Sequence, residues 1–187
     1  MIKINAMKLV LLSLLLALNA FAADNIQVFF SPKGGCTEAV VENIEKAKTT
    51  VFVQAYSFTS APIAKALVDA HRRGVNVEVI LDKSQRTEKY SGADFLLHEG
   101  VPTFIDDKHA IAHNKIMVID GHTVLTGSFN FTKAAEENNA ENLLVIDDVD
   151  LAKKYTVNWK THLEHSDSYT DTKGTMSDTR QSRKRHS

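Results

Sequence analysis

HNKIMVIDGHTVLTGSFN, residues 113–130, is the stretch from which the fold of this chain can be read. Ile116 to Ile119 is an apolar run rich in β-branched side chains, the composition of a buried strand. Asp120 and Gly121 form a favoured pair for a tight hairpin turn, and Thr123 to Thr126 returns as the partner strand. Alternation along a strand puts His113 and Lys115 on one face. The returning strand then delivers Gly127, Ser128 and Asn130 beside the histidine. A nucleophilic imidazole, a fixed cation and two short polar donors around one point suit a tetrahedral phosphate.

Upstream of this hairpin, strand and helix patterns alternate. Residues 25–30 read as a strand, 31–35 as a loop, and 36–48 as a helix with Val40, Val41 and Ile44 on its inner side. A second strand spans 49–56. Ser60 is placed to cap the next helix, Pro62 fits its first turn, and Gly74 ends it after Arg73. A strand at 76–81, a polar loop at 82–90, a short helix at 93–99 and a strand at 102–105 follow. Such alternation argues for an α/β fold with a largely parallel sheet covered by helices. Downstream, 132–138 reads as a short helix, 142–147 as a last strand, and 149–165 as a closing helix containing Trp159. Tyr56 and Phe58 precede a loop near the sheet's end, where either could stack a base or belong to the core.

Residues 1–22 carry Lys3 and Lys8, an apolar stretch from Leu9 to Leu18, and an A-x-A site at Ala20–Ala22. This is the pattern of a cleaved secretory signal peptide, and the apolar run is short for a membrane span of ~20 residues. The expected location is therefore periplasmic or secreted, without stable membrane association. Removal of the leader leaves 20 basic against 23 acidic residues, a net charge of −3. That balance does not resemble a non-specific DNA coat, so a polyanion would have to be held by a local cationic site. Cys36 is the single cysteine, and is read as a small residue at a helix start rather than as a disulfide partner. The domain is expected over residues 23–165, with a polar, disordered tail over 166–187.

The fixed points of the central stretch are His113, Lys115, Asp120, Gly127, Ser128 and Asn130, in the spacing H-x-K-x4-D-x6-G-S-x-N. Six specified identities give a chance match on the order of 10⁻⁸ per start position. The pattern resembles the HKD signature of the phospholipase D superfamily. The flanking Asn130–Ala135 and Ala140–Asn142 resemble the small single-motif periplasmic endonucleases of that superfamily, and a looser likeness extends from about Val28 to Trp159. The resemblance implies an α-β-α sandwich around a mixed sheet. It also implies that His113 attacks phosphorus to form a phosphohistidine, that Glu141 fixes the histidine's tautomer, and that Lys115, Ser128 and Asn130 bind phosphate oxygens. Asp120 lies at the strand end on the opposite parity, so it and Gly127 are assigned structural roles. A second histidine must protonate the leaving group, and with one motif per chain the implication is a homodimer with its active site on the two-fold axis.

Other chemistries fit less well. His109 and His113 are four apart but lack the glutamate of a zinc hydrolase. The Asp106–Asp107 pair is followed by Lys108 and shows no calcium-loop spacing. No metal or other cofactor is therefore expected. Gly127–Asn130 lacks the closing glycine of a serine-hydrolase elbow. His71, His98, His122, His162 and His165 fall outside any motif and are read as surface residues. The expected function is metal-independent cleavage of DNA, with RNA as a further substrate and little sequence preference. The alternatives are a phospholipase D-type hydrolase of lipid headgroups and a non-catalytic nucleic-acid-binding protein on the same fold.

Overall fold

A computed structural model describes residues 25–89 and 91–170. The expected leader and the part of the expected tail from residue 171 onward lie outside the described residues. In chain order the elements are β1 (Ile26–Ser31), α1 (Cys36–Lys46), β2 (Thr50–Ala55), α2 (Ala61–Arg72), β3 (Asn76–Asp82) and a 3-10 turn (Lys83–Arg86). There follow α3 (Ala93–His98), β4 (Thr103–Asp106), β5 (Lys115–Ile119), β6 (Thr123–Gly127), α4 (Lys133–Glu137), β7 (Glu141–Asp147), α5 (Val149–Leu163) and β8 (Asp167–Ser168).

The strands form one mixed sheet in the order β1-β7-β6-β5-β2-β3-β4-β8. Its parallel part is confined to β2, β3 and β4, the strands joined through α2 and α3. The other pairings are antiparallel. This follows from the connections: the crossovers through α2 and α3 return the chain in the same direction, whereas the β5–β6 hairpin and the links into β5 and β7, the latter holding only the five-residue α4, reverse it.

Period-two alternation divides the core between the two faces. On one face Val51, Val53, Met117, Ile119 and Leu125 pack with Val40 and Ile44 of α1 and Ile63 and Leu67 of α2. On the other, Ile80, Ile116, Val118 and Val124 pack with Ala152 and Trp159 of α5. Trp159 stacks on Phe52 with ring centroids 4.6 Å apart and donates its indole N–H to the Val53 carbonyl at 2.8 Å. It therefore brings apolar area to the core without leaving its polar atom unpaired. Cys36 is buried at the start of α1. Burial, with the Glu136 carboxylate nearby, pushes its thiol up to about 11, which keeps it an inert packing residue.

The β5–β6 hairpin is fastened at its turn. Asp120 adopts a left-handed conformation with φ 52°. Its carboxylate accepts from the backbone N–H groups of Lys48, Thr49 and Thr50 at 2.8–2.9 Å and from the Thr49 hydroxyl at 2.9 Å. Burial works against the charge, but these four donors outweigh it and hold the carboxyl below its ordinary range. The turn is thus tied to the start of β2, at the far end of β5 from Lys115.

The closing helix does not cover the whole of its face. Ile26, Val28 and Phe30 of the edge strand β1 are exposed, Phe30 by 64%. They share one side of that strand, opposite Ile146, Leu144 and Asn142 of β7. On the opposite edge of the sheet, residues 166–170 depart from the expected tail. Asp167 and Ser168 pair with β4, and Tyr169 is 6% exposed with its hydroxyl on the Asp94 carboxylate. Polar composition concealed one buried aromatic ring, and the domain extends at least to it.

Candidate active site

The register brings one end of several strands into a single line. β5 begins with Lys115 beside Ala55, the last residue of β2. β6 ends at Gly127, which lies opposite Leu143 near the start of β7. An open cleft of ≈ 750 Å³ at this end is lined by His113, Lys115, Ser128, Asn130, Glu141 and Asn142, with Tyr155 of α5 on its wall. Residues more than 25 positions apart in sequence are brought together because strand ends, unlike strand middles, need not be filled by the core.

Lys115 is the first residue of β5, so its stem is packed and its side chain is 7% exposed. Its Nζ donates to the His113 carbonyl at 2.7 Å and lies 5.1 Å from the centre of the Tyr56 ring. Burial lowers the Lys115 pKa, and the negative charge of Glu141 opposes that shift. His113 stands just before the strand, exposed, with its ring centroid 4.7 Å from that of Tyr56. The two aromatic residues left open by sequence are therefore separated. Tyr56 is half-buried against the histidine, whereas Phe58 is fully buried beside Phe131.

Gly127 and Ser128 are shaped by a residue that sequence reasoning did not single out. The Asn142 carbonyl accepts from both Ser128 N–H and Phe129 N–H at 3.1 Å. A Cβ on Gly127 would sit 2.3 Å from that oxygen, so only glycine permits the approach. The Ser128 hydroxyl accepts from Asn142 N–H at 3.0 Å. Its own proton is thereby directed away from Asn142 and can be offered to an oxyanion. The cue in the sequence was adjacency: Asn142 directly follows Glu141. Glu141 shares the cleft with His113, but its carboxylate accepts from the Asn139 side-chain amide at 3.1 Å. No hydrogen bond links Glu141 to His113 among the described residues.

Two histidines read as surface residues are placed differently. His162 Nδ1 lies 2.8 Å from Asp106 Oδ2, His109 Nδ1 lies 2.9 Å from it, and His165 Nε2 lies 3.4 Å from it. Burial alone would raise the Asp106 carboxyl, but hydrogen bonding from His162 and His109, with His165 close by, brings it down to about 2. His109 thus turns towards Asp106 rather than joining His113. The overlooked signal was a D-x2-H pair at 106–109 matched by an H-x2-H pair at 162–165.

Comparison with known proteins agrees with this architecture. Residues 40–163 match the family model described as "Cardiolipin synthase, PLD-like domain". The chain is 42% identical to a Rickettsia typhi protein named phospholipase D over 135 residues, which is 72% of this chain and 66% of that protein. Among solved structures, Nuc from Salmonella typhimurium, a phospholipase D family member, superposes with a TM-score of 0.75 at 38% identity, covering 78% of this chain and 98% of Nuc. NucT from Helicobacter pylori gives a TM-score of 0.71 at 27% identity, covering 77% and 98%. With the fold, the family match and the H-x-K…G-S-x-N constellation gathered at one cleft, this chain belongs to the phospholipase D superfamily, as an enzyme of the phosphodiesterase class.

Proposed function

We propose that the protein is an exported nuclease that cleaves DNA, and RNA as well, with little sequence preference and no metal in the chemical step. The observation that carries this is the joint placement of His113, Lys115, Ser128 and Asn130 around one open cleft. A polymer can lie across such a cleft, and the polar groups are placed for a phosphate rather than for acyl chains. The flanking sequence resembles single-motif endonucleases, and the alignment takes in 98% of the Salmonella Nuc chain.

In this reading the neutral His113 imidazole attacks phosphorus, forming an N–P bond as the P–O bond to the leaving group breaks. Lys115, Ser128 and Asn130 hold the non-bridging oxygens as charge grows on them. Glu141 holds the other ring nitrogen's proton, a contact that can tighten only when substrate is bound. The leaving oxygen takes its proton from His113 of a second copy. That histidine then deprotonates the water that hydrolyses the phosphohistidine, which restores both rings. The homodimer is supported by the apolar side of β1. Phe30 lies directly opposite Asn142, a lining residue of the cleft, so an interface over Ile26, Val28 and Phe30 would bring two clefts close together.

A lipid substrate is the second reading, favoured by the name of the Rickettsia relative. One purified sample should be given plasmid DNA, RNA and phosphatidylcholine vesicles, each with excess chelator. Nicking of DNA without headgroup release is expected. Headgroup release with intact DNA would overturn the nuclease reading in favour of a phospholipase.

A further inference from the structure

We propose that Asp106, His109, His162 and His165 form a structural zinc site that ties the loop leading to His113 to the end of α5. The four residues come from two short pairs far apart in sequence. Asp106 ends β4 and His109 lies three residues on, in the loop that runs to the active-site histidine. His162 is in the last turn of α5, and His165 follows the helix. One donor atom from each lies within 4.8 Å of all the others. None of the four lines the cleft.

Hydrogen bonding to Asp106 accounts for His162 and His109 but not for the third imidazole drawn to the same point. All three imidazole nitrogens approach Asp106 Oδ2, at 2.8, 2.9 and 3.4 Å, and His109 Nδ1 also lies 3.1 Å from Oδ1. A carboxylate oxygen offers about two lone-pair directions, which His162 and His109 are enough to fill at Oδ2. His165 Nε2, shielded from solvent, has no hydrogen-bond partner among the described residues despite its approach to that oxygen. Zinc–nitrogen bonds of ~2.05 Å and zinc–oxygen bonds of ~2.0 Å put tetrahedral ligands about 3.3 Å apart. The observed separations reach that arrangement through small side-chain rotations.

Three imidazoles and one carboxylate suit zinc among the divalent ions, because they combine borderline nitrogen donors with one hard oxygen. Four protein ligands also fill a tetrahedral shell and leave no position for a catalytic water, so the site is closed. Asp106 is fully buried and its other oxygen, Oδ1, accepts from Lys108 N–H at 3.2 Å, which fixes the carboxylate's orientation. A metal held there would fix His109 four residues before His113, and with it the approach to the cleft.

The test uses the full chain without a histidine tag, stripped with chelator, equilibrated with zinc chloride and dialysed. One zinc per chain by elemental analysis is expected, with a higher Tm than the stripped protein. In the His162→Ala/His165→Ala variant the affinity for zinc should fall by at least about 100-fold. His113→Ala should retain the metal, and loss of zinc in that variant would place the ion in the cleft and overturn the assignment. Should the double variant not fold, Co²⁺ titration of the wild-type chain decides. Intense visible bands of a tetrahedral ion saturating at one equivalent support the site, and weak octahedral bands or no saturation refute it.

Discussion

Lys115 donates to the main-chain carbonyl of His113 at 2.7 Å, so the cation that would bind phosphate is anchored by the residue that would attack it. The two groups are held by their own short segment of chain and need no distant scaffold to stay together. In the proposed reaction the ammonium serves the phosphate oxygens, and Lys115→Met should lower kcat by about 10²–10³-fold with little change in Tm. Lys115→Arg should recover little of the activity, since a planar guanidinium does not take the place of a compact ammonium packed down to 7% exposure beside the His113 carbonyl.

The same lysine sets an alkaline limit. Its burial lowers its pKa, so the ammonium is lost at a lower pH than in an ordinary lysine, and the negative Glu141 counteracts that loss. Neutralising Glu141 as Glu141→Gln should lower the Lys115 value further and move the alkaline limb of the pH–rate profile to lower pH. A limb that stays in place in this variant would assign it to another group.

Asp120 should govern acid stability. Its folded pKa lies below the unfolded value of about 3.9. Its contribution is therefore complete above the unfolded value and is lost as pH falls through the folded one. Asp120→Asn tolerates the left-handed backbone but removes the charge, and should cost about 1–3 kcal/mol at neutral pH. Urea unfolding of both proteins should show the gap closing as the pH approaches the low end of the carboxylate range.

Replacing Phe30 with Asp tests the interface. The side chain is exposed in a single chain, so the variant should fold with an unchanged circular dichroism spectrum. Sedimentation should show it to be monomeric and activity should be lost. Independently, refolding equal amounts of wild-type and His113→Ala chains should leave roughly a quarter of the full activity, because random pairing gives one quarter wild-type dimers. Half activity, with mixed dimers demonstrated by tagged subunits, would show that one chain suffices.

Truncation should separate two ends that composition alone merges. Ending the chain after Thr170 should leave stability unchanged. Ending it after Ser166 removes β8 and the buried Tyr169 ring, at a cost of roughly 3 kcal/mol, or on the order of 10 °C in Tm. Equal Tm values for the two truncations would show that this edge contributes nothing.

Most of the architecture was legible because apolar periodicity and turn residues marked every strand from Ile26 to Asp147 within a residue or two. The hairpin at Asp120 and Gly121 was legible from local chemistry alone. Contacts between distant segments were not. Asn142 acts through its backbone carbonyl, which carries no side-chain signature. His162 and His165 acquire a common partner only when α5 lies across the end of β4. Tyr169 was hidden in a polar run because one aromatic residue does not make a pattern. The direction of the outer strands also depended on which edge the chain reached, which alternation of helix and strand does not specify.

Asp120 gives its letter to a catalytic signature, yet its carboxylate is occupied by four donors around the start of β2, at the opposite end of β5 from the cleft. Inactivity after substitution there would be a report on folding, with no bearing on who attacks phosphorus. In this chain that letter is a record of how the hairpin is fastened, and the proposed chemistry would be read from the histidine and lysine.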